Sequence, residues 1–368
     1  MNRVTLGDVC KKASSNIAQK DLNGNEGEYP IYGASGYIKT VDFYHQEEPY
    51  IAIVKDGAGI GRTMLLPAKS SVIGTMQYIL LKEDKSVDLD YLYYAIVHMN
   101  LGKYFSGATI PHIYFKDYQK EPLNLPDMHE QQQIASIFKK IDALISGRKE
   151  QIEHLDELVK SRFIELFGTL HDNRNGFAVV TIEDVCSLVK DGTHQTPQYT
   201  ENKEEGYKFL SSKDVMSQKI DWTDKKYIPA ELHEKLYATI KPQRNDILMS
   251  KNGVNYGVAA VNDTDEVFDI YVSLALLRPK QMINPIFFRC VINNPETKRQ
   301  FDSSIKGIGV PNLHLSEIKK TKIILPPLEL QNKFVEFVNQ VDKSRLAVQQ
   351  GLQELETLKK SLMQQYFG

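Results

Sequence analysis

Two glycine-rich segments carry basic residues in a pattern suited to phosphate binding. We call Lys55-Asp56-Gly57-Ala58-Gly59-Ile60-Gly61-Arg62 the first glycine loop and Lys251-Asn252-Gly253-Val254-Asn255-Tyr256-Gly257 the second glycine loop. Glycine lets a backbone approach a phosphate closely, and lysine or arginine adds a charge-assisted contact. Arg62 could bind a guanine edge, and Asn252 or Asn255 an adenine edge. A tight hairpin that holds two strands in register explains the same pattern, so both interpretations stay open.

Further polar and aromatic side chains lie near predicted turns and could contact the same ligand. Thr193, His194 and Gln195 are polar groups in a predicted loop, and we expect them to contact nucleic acid. Lys213 follows two serines and could hold a phosphate, although exposed lysines usually have no specific role. For the tyrosines, core packing is an equally open interpretation. The predicted DNA-binding set is Tyr32, Ser35, Tyr37, Lys55, Arg62, Thr193, His194, Gln195, Lys213, Lys251, Asn252, Asn255 and Tyr256.

No set of residues in the chain has the spacing of a catalytic site. The phosphate-binding loop of nucleotide hydrolases is missing. Asn284-Pro285-Ile286-Phe287 only faintly matches the motif of adenine methyltransferases, because it lacks the second proline and an upstream glycine-rich cofactor motif. Cys10, Cys186 and Cys290 are far apart and lack a C-x-x-C spacing, which argues against structural zinc. Cys10 and Cys186 occupy the same repeat position, which indicates buried small apolar side chains in a reducing cytoplasm. We therefore predict no catalytic, cofactor-binding or metal-binding residues.

Composition indicates a folded chain with room for two domains. Of its 368 residues, 42% are hydrophobic and 25% are charged. The formal net charge of −2 argues against a histone-like binder that depends on bulk positive charge. No secretory segment and no apolar run of membrane-spanning length is found, so we expect a cytoplasmic protein without a membrane partner.

The elements that must position these residues occur twice. Val4-Thr5-Leu6-Gly7-Asp8-Val9-Cys10 returns as Val180-Thr181-Ile182-Glu183-Asp184-Val185-Cys186. The stretch from Leu125 to Gly168 returns 200 positions later, without a gap, as the stretch from Leu325 to Gly368. A tandem duplication in one chain predicts approximate two-fold symmetry, which suits a target with two half-sites. The segments between the repeated parts have diverged.

The chain alternates between globular and helical segments. Short apolar runs separated by glycine turns predict mostly strands, with one helix over 89–101. Apolar residues at three- and four-residue steps predict long amphipathic helices whose single apolar stripe must be buried. We expect the two helices to pack antiparallel, the alternative being that each packs on its own domain. The predicted boundaries are 1–125 and 169–325 for the globular domains, and 126–168 and 326–368 for the helices.

Several motifs, in register over the whole chain, resemble one family. They include Tyr29-Pro30-Ile31-Tyr32-Gly33-Ala34-Ser35-Gly36-Tyr37 and Asp191-Gly192-Thr193-His194-Gln195-Thr196-Pro197 with Tyr207–Asp214. The junctions into the helices are Thr109-Ile110-Pro111-His112-Ile113 with Glu130–Ala135, and more loosely Gly309-Val310-Pro311-Asn312-Leu313 with Leu325–Gln331. Together they resemble the specificity subunits of type I restriction-modification systems (HsdS).

The resemblance implies both a fold and a function. The fold is α+β, with two mixed α/β target-recognition domains joined by two long antiparallel helices that form a coiled coil. Each domain would read one half of an asymmetric, bipartite double-stranded DNA site, and the helices would set the unread spacer. They would also dock two copies of the modification subunit (HsdM), which carries S-adenosylmethionine and methylates adenine. A restriction subunit (HsdR) is a possible further partner.

Two other functions are weighed against this one. A self-contained DNA methyltransferase would transfer methyl groups as a purified chain. A coiled-coil interaction scaffold without a DNA role would protect no site in footprinting.

Overall fold

The computed structural model describes residues 2–83, 86–107, 111–305 and 310–368. Its internal contacts divide the chain into two compact units. Unit 1 comprises Met1–Gln151 and Val348–Gly368, and unit 2 comprises Ile152–Ala347. Each unit therefore holds one globular segment and a part of both long helices. The predicted domain boundaries at 125, 168 and 325 stay a prediction.

Each globular segment begins with the repeated segment, which folds the same way twice. In unit 1, strand β1 (Asn2–Thr5) leads into the single-turn helix α1 (Leu6–Val9) and then strand β2 (Cys10–Ser14). The backbone N–H and the hydroxyl of Thr5 both donate to the Asp8 carboxylate at 2.7 Å. These bonds cap the start of the helix, and Leu6 and Val9 are buried beneath it. Unit 2 repeats the arrangement with β10 (Ala178–Thr181), α5 (Ile182–Val185), β11 (Cys186–Asp191) and the pair Thr181 and Asp184.

Unit 1 is built around a four-stranded antiparallel sheet in the order β2-β8-β5-β6. All five residues of its central strand, Tyr50–Val54, are buried, because both faces of the sheet are covered. The predicted helix over 89–101 is present as α2, followed by a 3₁₀ turn at Leu101–Tyr104. The remaining elements are β3 (Tyr29–Gly33), β4 (Gly36–Val41), β5 (Tyr50–Val54), β6 (Thr63–Leu66), β7 (Ser71–Val72), β8 (Met76–Leu81), α2 (Leu89–Met99), α3 (Phe115–Tyr118) and β9 (Pro122–Leu125).

Unit 2 has an equivalent four-stranded antiparallel sheet in the order β11-β17-β14-β15. Its central strand Ile247–Ser250 is likewise buried throughout. The elements are β12 (Tyr207–Leu210), β13 (Lys226–Ile228), α6 (Ala230–Tyr237), β14 (Ile247–Ser250), β15 (Ala259–Val261), β16 (Phe268–Ile270), β17 (Leu274–Pro279), α7 (Pro285–Ile292), α8 (Pro295–Ser304), α9 (Leu315–Lys320) and β18 (Lys322–Leu325).

Each unit also has a second sheet of three strands, with the same mixed topology. In unit 1 the order is β4-β3-β7, and β3 pairs in parallel with β7. In unit 2 the order is β13-β12-β16, and β12 pairs in parallel with β16. The first and last strands of each globular segment form a two-stranded ribbon, β1 with β9 and β10 with β18. This ribbon places the first strand of each globular segment beside its last strand, which leads directly into a long helix.

The long helices are α4 (Met128–Phe167) and α10 (Leu328–Phe367), each of 40 residues and thus roughly 60 Å long. In unit 1 the early part of α4 packs against the late part of α10: the rings of Phe138 and Phe367 lie 5.7 Å apart, and Lys149 lies 3.7 Å from Glu356. In unit 2 the late part of α4 packs against the early part of α10, with the Phe167 and Phe334 rings 5.5 Å apart. The prediction of paired antiparallel helices is confirmed within each unit.

A buried glutamine fixes each long helix to its globular segment. Gln131 is 1% exposed, and its side-chain Oε1 accepts the N–H of Asp88 at 2.8 Å. Its amide donates to the carbonyls of Ser86 at 3.3 Å and Pro126 at 2.9 Å. Gln331 makes the same three bonds, with Asn284 N–H and the carbonyls of Met282 and Pro326, at 2.8, 3.1 and 2.8 Å. In each repeat, the oxygen and the NH₂ group of the buried side-chain amide therefore have hydrogen-bond partners, as buried polar groups usually do.

Two smaller sequence-based predictions concern burial and membranes. Cys10 and Cys186, which occupy the same repeat position, are both buried. Among the described residues, no helix is both long and apolar enough to cross a membrane.

Candidate nucleic-acid interface

The first glycine loop is the hairpin connection between the antiparallel strands β5 and β6. The chain segment that precedes α3 clamps it from outside. Gly57 N–H donates to the Pro111 carbonyl at 2.9 Å, and Ile113 N–H donates to the Lys55 carbonyl at 3.0 Å. The loop is therefore held in one position by backbone bonds on both sides. Thr109 and Ile110, which belong to the same family motif, lie outside the described residues.

The second glycine loop connects β14 and β15 and is clamped in the same way. Gly253 N–H donates to the Pro311 carbonyl at 3.0 Å, and Leu313 N–H donates to the Lys251 carbonyl at 2.7 Å. Gly309, at the start of the corresponding motif, lies outside the described residues. Both loops are hairpins, as one of the two interpretations expected. A hairpin that is fixed by backbone bonds can also present side chains to a ligand.

The loop glycines divide into two groups. Gly61 and Gly257 have φ angles of +79° and +86°, and a Cβ atom would come within 2.4 Å of the Gly102 nitrogen or 2.9 Å of the Phe301 ring. These two glycines are required by the fold. Gly57 and Gly253 also have positive φ angles, but a Cβ atom there would meet open space. A phosphate could therefore approach the backbone closely at Gly57 and Gly253, because no atom of the described residues occupies the space beside them.

In unit 1 the structure brings five predicted residues to one region, which we call the first surface: Tyr32, Ser35, Tyr37, Lys55 and Arg62. The Arg62 guanidinium donates to the Ala34 carbonyl at 2.7 Å, which ties the glycine loop to the turn between β3 and β4. On that turn, the Tyr32 and Tyr37 rings meet edge to face at 6.1 Å. Ser35, Tyr37 and Arg62 are exposed.

Lys55 is less free than the rest of the first surface. Its ammonium group lies 3.3 Å from the neighbouring Asp56 carboxylate, and its side chain is 24% exposed. Asp56 also binds the His112 ring, so this carboxylate closes the loop against the segment that clamps it. The positive charge of Lys55 is partly neutralised before any ligand arrives.

In unit 2 the Asp191 carboxylate, at the end of β11, contacts both the second glycine loop and the loop that carries His194. Lys251 Nζ lies 3.0 Å from Asp191 Oδ2, and His194 Nε2 lies 3.2 Å from the same oxygen. Thr193 N–H donates to the Ile270 carbonyl at 3.1 Å, which fixes the backbone of the loop that carries His194 and Gln195. His194 and Gln195 are exposed, whereas the Lys251 side chain is only 5% exposed.

Two predicted contacts are not favoured by this geometry. A direct phosphate contact by Lys251 would have to break its buried ion pair with Asp191. The Tyr256 hydroxyl donates to Asp302 at 2.6 Å, and Lys298 Nζ lies 3.5 Å from the Tyr256 ring centre. Both side chains are engaged within the domain, and whether they contact DNA stays a prediction.

The other predicted residues of unit 2 remain accessible or close to the loop. Asn255 and Lys213 are exposed. The backbone of Asn252 pairs with Asn312, and its side-chain oxygen is buried without a hydrogen-bond partner among the described residues. We call Thr193, His194, Gln195, Lys213, Asn252 and Asn255 the second surface. Whether these residues contact DNA stays a prediction.

Sequence reasoning missed three residues beside Lys213. Tyr199 is 46% exposed, and the Lys226 ammonium group lies 4.1 Å from its ring centre. Tyr271 lies across the same depression, next to Phe209. An exposed tyrosine is a weak signal in the sequence, and only the fold shows that these residues share a site.

Tyr32 in the first surface and Tyr199 beside the second surface keep their protons at neutral pH. Burial, and secondarily the nearby Tyr37, raises the pKa of Tyr32 above its ordinary value. Burial, and then Tyr271 and Asp214, raises the pKa of Tyr199. A neutral phenol can donate a hydrogen bond to a phosphate without electrostatic repulsion.

The segment that faintly matched a methyltransferase motif starts a helix. The Asn284 side chain accepts the N–H of Ile286 at 2.9 Å and caps α7, with Pro285 in the first turn. Within the described ranges, no group of three or more metal-ligating side chains comes together.

Comparison with known proteins gives the family. The sequence matches the family described as type I restriction modification DNA specificity domain over residues 1–154 and 174–357. A relative from Methanocaldococcus jannaschii, the type I restriction enzyme MjaVIII specificity subunit, is 24% identical, with 98% of this chain and 90% of that protein covered. The EcoBI specificity subunit of Escherichia coli is 21% identical, with 71% of this chain and 61% of that protein covered.

Solved structures agree on the fold. The crystal structure of the type I restriction-modification S subunit from M. genitalium superimposes with a TM-score of 0.61 at 16% identity, covering 100% of this chain and 96% of that one. A chain from a study of complex assembly and conformational transition in the type I restriction-modification system gives a TM-score of 0.57 at 15% identity, covering 100% and 97%. The two matched regions and the duplicated fold lead to one conclusion: the chain belongs to the DNA specificity subunits of type I restriction-modification systems.

Proposed function

We propose that each globular segment reads one half of an asymmetric, bipartite DNA site. The observation that carries this proposal is the contrast between the two glycine loops. Their backbones are clamped by equivalent hydrogen bonds, while the side chains around them differ. Equivalent frames with different donors and acceptors would dock on DNA in the same manner and select different bases.

The long helices would set the distance between the half-sites and dock two copies of the modification subunit (HsdM). This is supported by the two junctions, where Gln131 and Gln331 make the same three hydrogen bonds. Two equivalent junctions suit two identical partners. The modification subunit would bind S-adenosylmethionine and methylate adenine, and a restriction subunit (HsdR) would join the same complex in the cytoplasm. This chain would supply recognition and no catalytic residue.

The test is methylation mapping in a host that lacks other adenine methylation. The full chain is expressed with the modification subunit of its own system, and methylated adenines are mapped by sequencing. We expect one motif with two different half-sites and a fixed spacer. A symmetric motif, or methylation without any motif, would contradict the proposal.

The competing functions give different results in the same design. Methyl transfer by the chain without the modification subunit would support a self-contained methyltransferase. If this chain were a scaffold without a DNA role, methylation by the modification subunit would be the same with and without this chain.

A further inference from the structure

A pocket of about 390 Å³ opens beside the second surface. Its wall combines three aromatic rings, three serines and two lysines: Tyr199, Phe209, Tyr271, Ser211, Ser212, Ser273, Lys213 and Lys226. No carboxylate is among these lining residues. The pocket therefore offers hydrogen-bond donors, positive charge and apolar surface to one ligand.

Hydrogen bonds hold the floor of the pocket in place. Tyr271 N–H donates to the Leu210 carbonyl at 2.8 Å, which joins β12 to the segment after β16. Ser212 N–H donates to Ser273 Oγ at 3.0 Å. Because the Ser273 carbonyl also accepts the N–H of Lys251 at 2.9 Å, the pocket is joined directly to the second glycine loop.

One carboxylate beneath the floor, Asp214, is already paired with a buried lysine. Asp214 accepts the Ser211 N–H at 2.7 Å and pairs with Lys225 at 2.6 Å, with side chains 4% and 2% exposed. Lys213 and Lys226 are exposed. Within the part of the chain that the structure describes, neither forms an ion pair. The pocket is thus lined by two positive charges, of which the Lys226 ammonium group lies over the Tyr199 ring.

We propose that this pocket binds the sugar–phosphate backbone of DNA, a role that rests on the proposed function. One phosphodiester lies between Lys213 and Lys226, with the Ser212 and Tyr271 hydroxyls as further donors, and the adjoining deoxyribose packs on the aromatic rings. Contacts that lysine and hydroxyl groups make to a phosphate carry no direct information about the base. The pocket therefore positions the second domain on the duplex, while other residues select the bases.

The test measures how DNA binding depends on salt. The full chain in complex with its modification subunit is titrated with a duplex of random sequence and with the duplex mapped by methylation. Each phosphate contact contributes about 0.9 to the slope of log K against log salt concentration. Because the two lysines share one phosphate, Lys213→Ala and Lys226→Ala should each reduce the slope by a part of that amount, and the double variant by about the full amount. Both reductions should occur on both duplexes and leave the ratio between the two affinities unchanged.

A control comes from the other end of the same domain. Lys320 on α9 has a side chain 76% exposed and lies 3.9 Å from the Glu317 carboxylate. Its neighbour Lys319 binds Glu183 in α5, which precedes β11. The pocket lies beyond the opposite end of β11, so Lys320→Ala should keep the wild-type slope.

The outcomes separate this proposal from the proposed function. Wild-type slopes in both pocket variants, or a changed affinity ratio, would overturn the pocket's role while sequence-specific binding stands. No preference of the wild-type complex for the mapped duplex would overturn the proposed function itself.

Discussion

The two glycine loops begin with the same residue in two different states. Lys55 in unit 1 is partly exposed and pairs with Asp56, its neighbour in the sequence. Lys251 in unit 2 is buried and pairs with Asp191 on a different strand. Yet both lysines donate and accept equivalent backbone bonds. The backbone frame has been kept while the side-chain partners have changed.

The helices show the same contrast at one repeat position. In unit 1, Asp142 accepts the Tyr94 hydroxyl at 2.9 Å and binds Lys359. In unit 2, Asp342 faces Arg289 at 3.7 Å and Arg345 at 3.5 Å. A fold fixed by backbone bonds and buried apolar contacts tolerates such exchange of polar partners. If each half reads DNA as proposed, such tolerance would allow the two halves to acquire different specificities.

The largest expected effect is a loss of stability in unit 2 alone, when its buried ion pair between Lys225 and Asp214 is broken. Lys225→Met leaves the Asp214 carboxylate buried without its counter-charge, which costs about 3–5 kcal/mol. Hydrogen exchange followed by mass spectrometry should show faster exchange in peptides of 186–275 and no change in peptides of 2–83. Lys226→Met, next to it but exposed, is the control for stability. Equal loss of protection in both units would contradict a unit-specific role.

A second substitution should affect both halves alike. Gln131→Leu and Gln331→Leu each leave a half-buried N–H and two carbonyls without their side-chain partner, so we expect each to lower the free energy of unfolding by about 1–3 kcal/mol. Denaturation in urea measures both values. Gln132→Leu, at an exposed position, is the control and should leave the stability unchanged. Destabilisation of only one of the two junction variants, or an equal loss in the control, would contradict the equivalence of the two junctions.

The smallest expected effect is a shared dependence on pH. Burial raises the pKa of Cys10 and of Cys186 from 9.0 to about 12. Both thiols are neutral in the folded and unfolded chain below pH 9. As the pH rises through 9 towards 12, the unfolded thiols ionise first, so stability is lost. From pH 8 to pH 10 we expect a loss of about 1 kcal/mol for each thiol.

Urea denaturation at pH 8 and pH 10 measures this loss against two variants. Cys10→Ala and Cys186→Ala should each remove one such contribution, and by the same amount. An unchanged pH dependence in either variant would show that the thiol is not protected in that half.

Much of the fold could be predicted from the sequence because it rests on local periodicity and on the repeat. Apolar residues at three- and four-residue steps predict the long helices, here α4, and a short apolar run such as Tyr50–Val54 predicts a strand. The duplication predicted that the second half would have equivalent elements. Such signals arise within short stretches of chain, where side-chain spacing decides the structure.

The side-chain partners could not be predicted in the same way. Lys251 lies 60 positions after Asp191 in the sequence, and nothing near either residue indicates their ion pair. Gln131 belongs to a recognisable motif, but its partner at Asp88 is fixed only when α2 packs beside α4. Tyr199, Lys226 and Tyr271 likewise share a pocket only through the pairing of β12 with β13 and β16. Tertiary contacts decide which polar residues are free to meet a ligand.

The central claim is that the two halves read different half-sites through equivalent frames. Arg62→Ala and Asn255→Ala each remove one exposed side chain, one from each surface, and each is expected to cost about 1–3 kcal/mol of base discrimination. Methylation mapping of both variants, expressed with the modification subunit, tests the claim most directly. The account predicts relaxed base preference in one half-site for Arg62→Ala and in the other for Asn255→Ala, with an unchanged spacer. Relaxation of the same half-site by both variants, or an altered spacer, would contradict it.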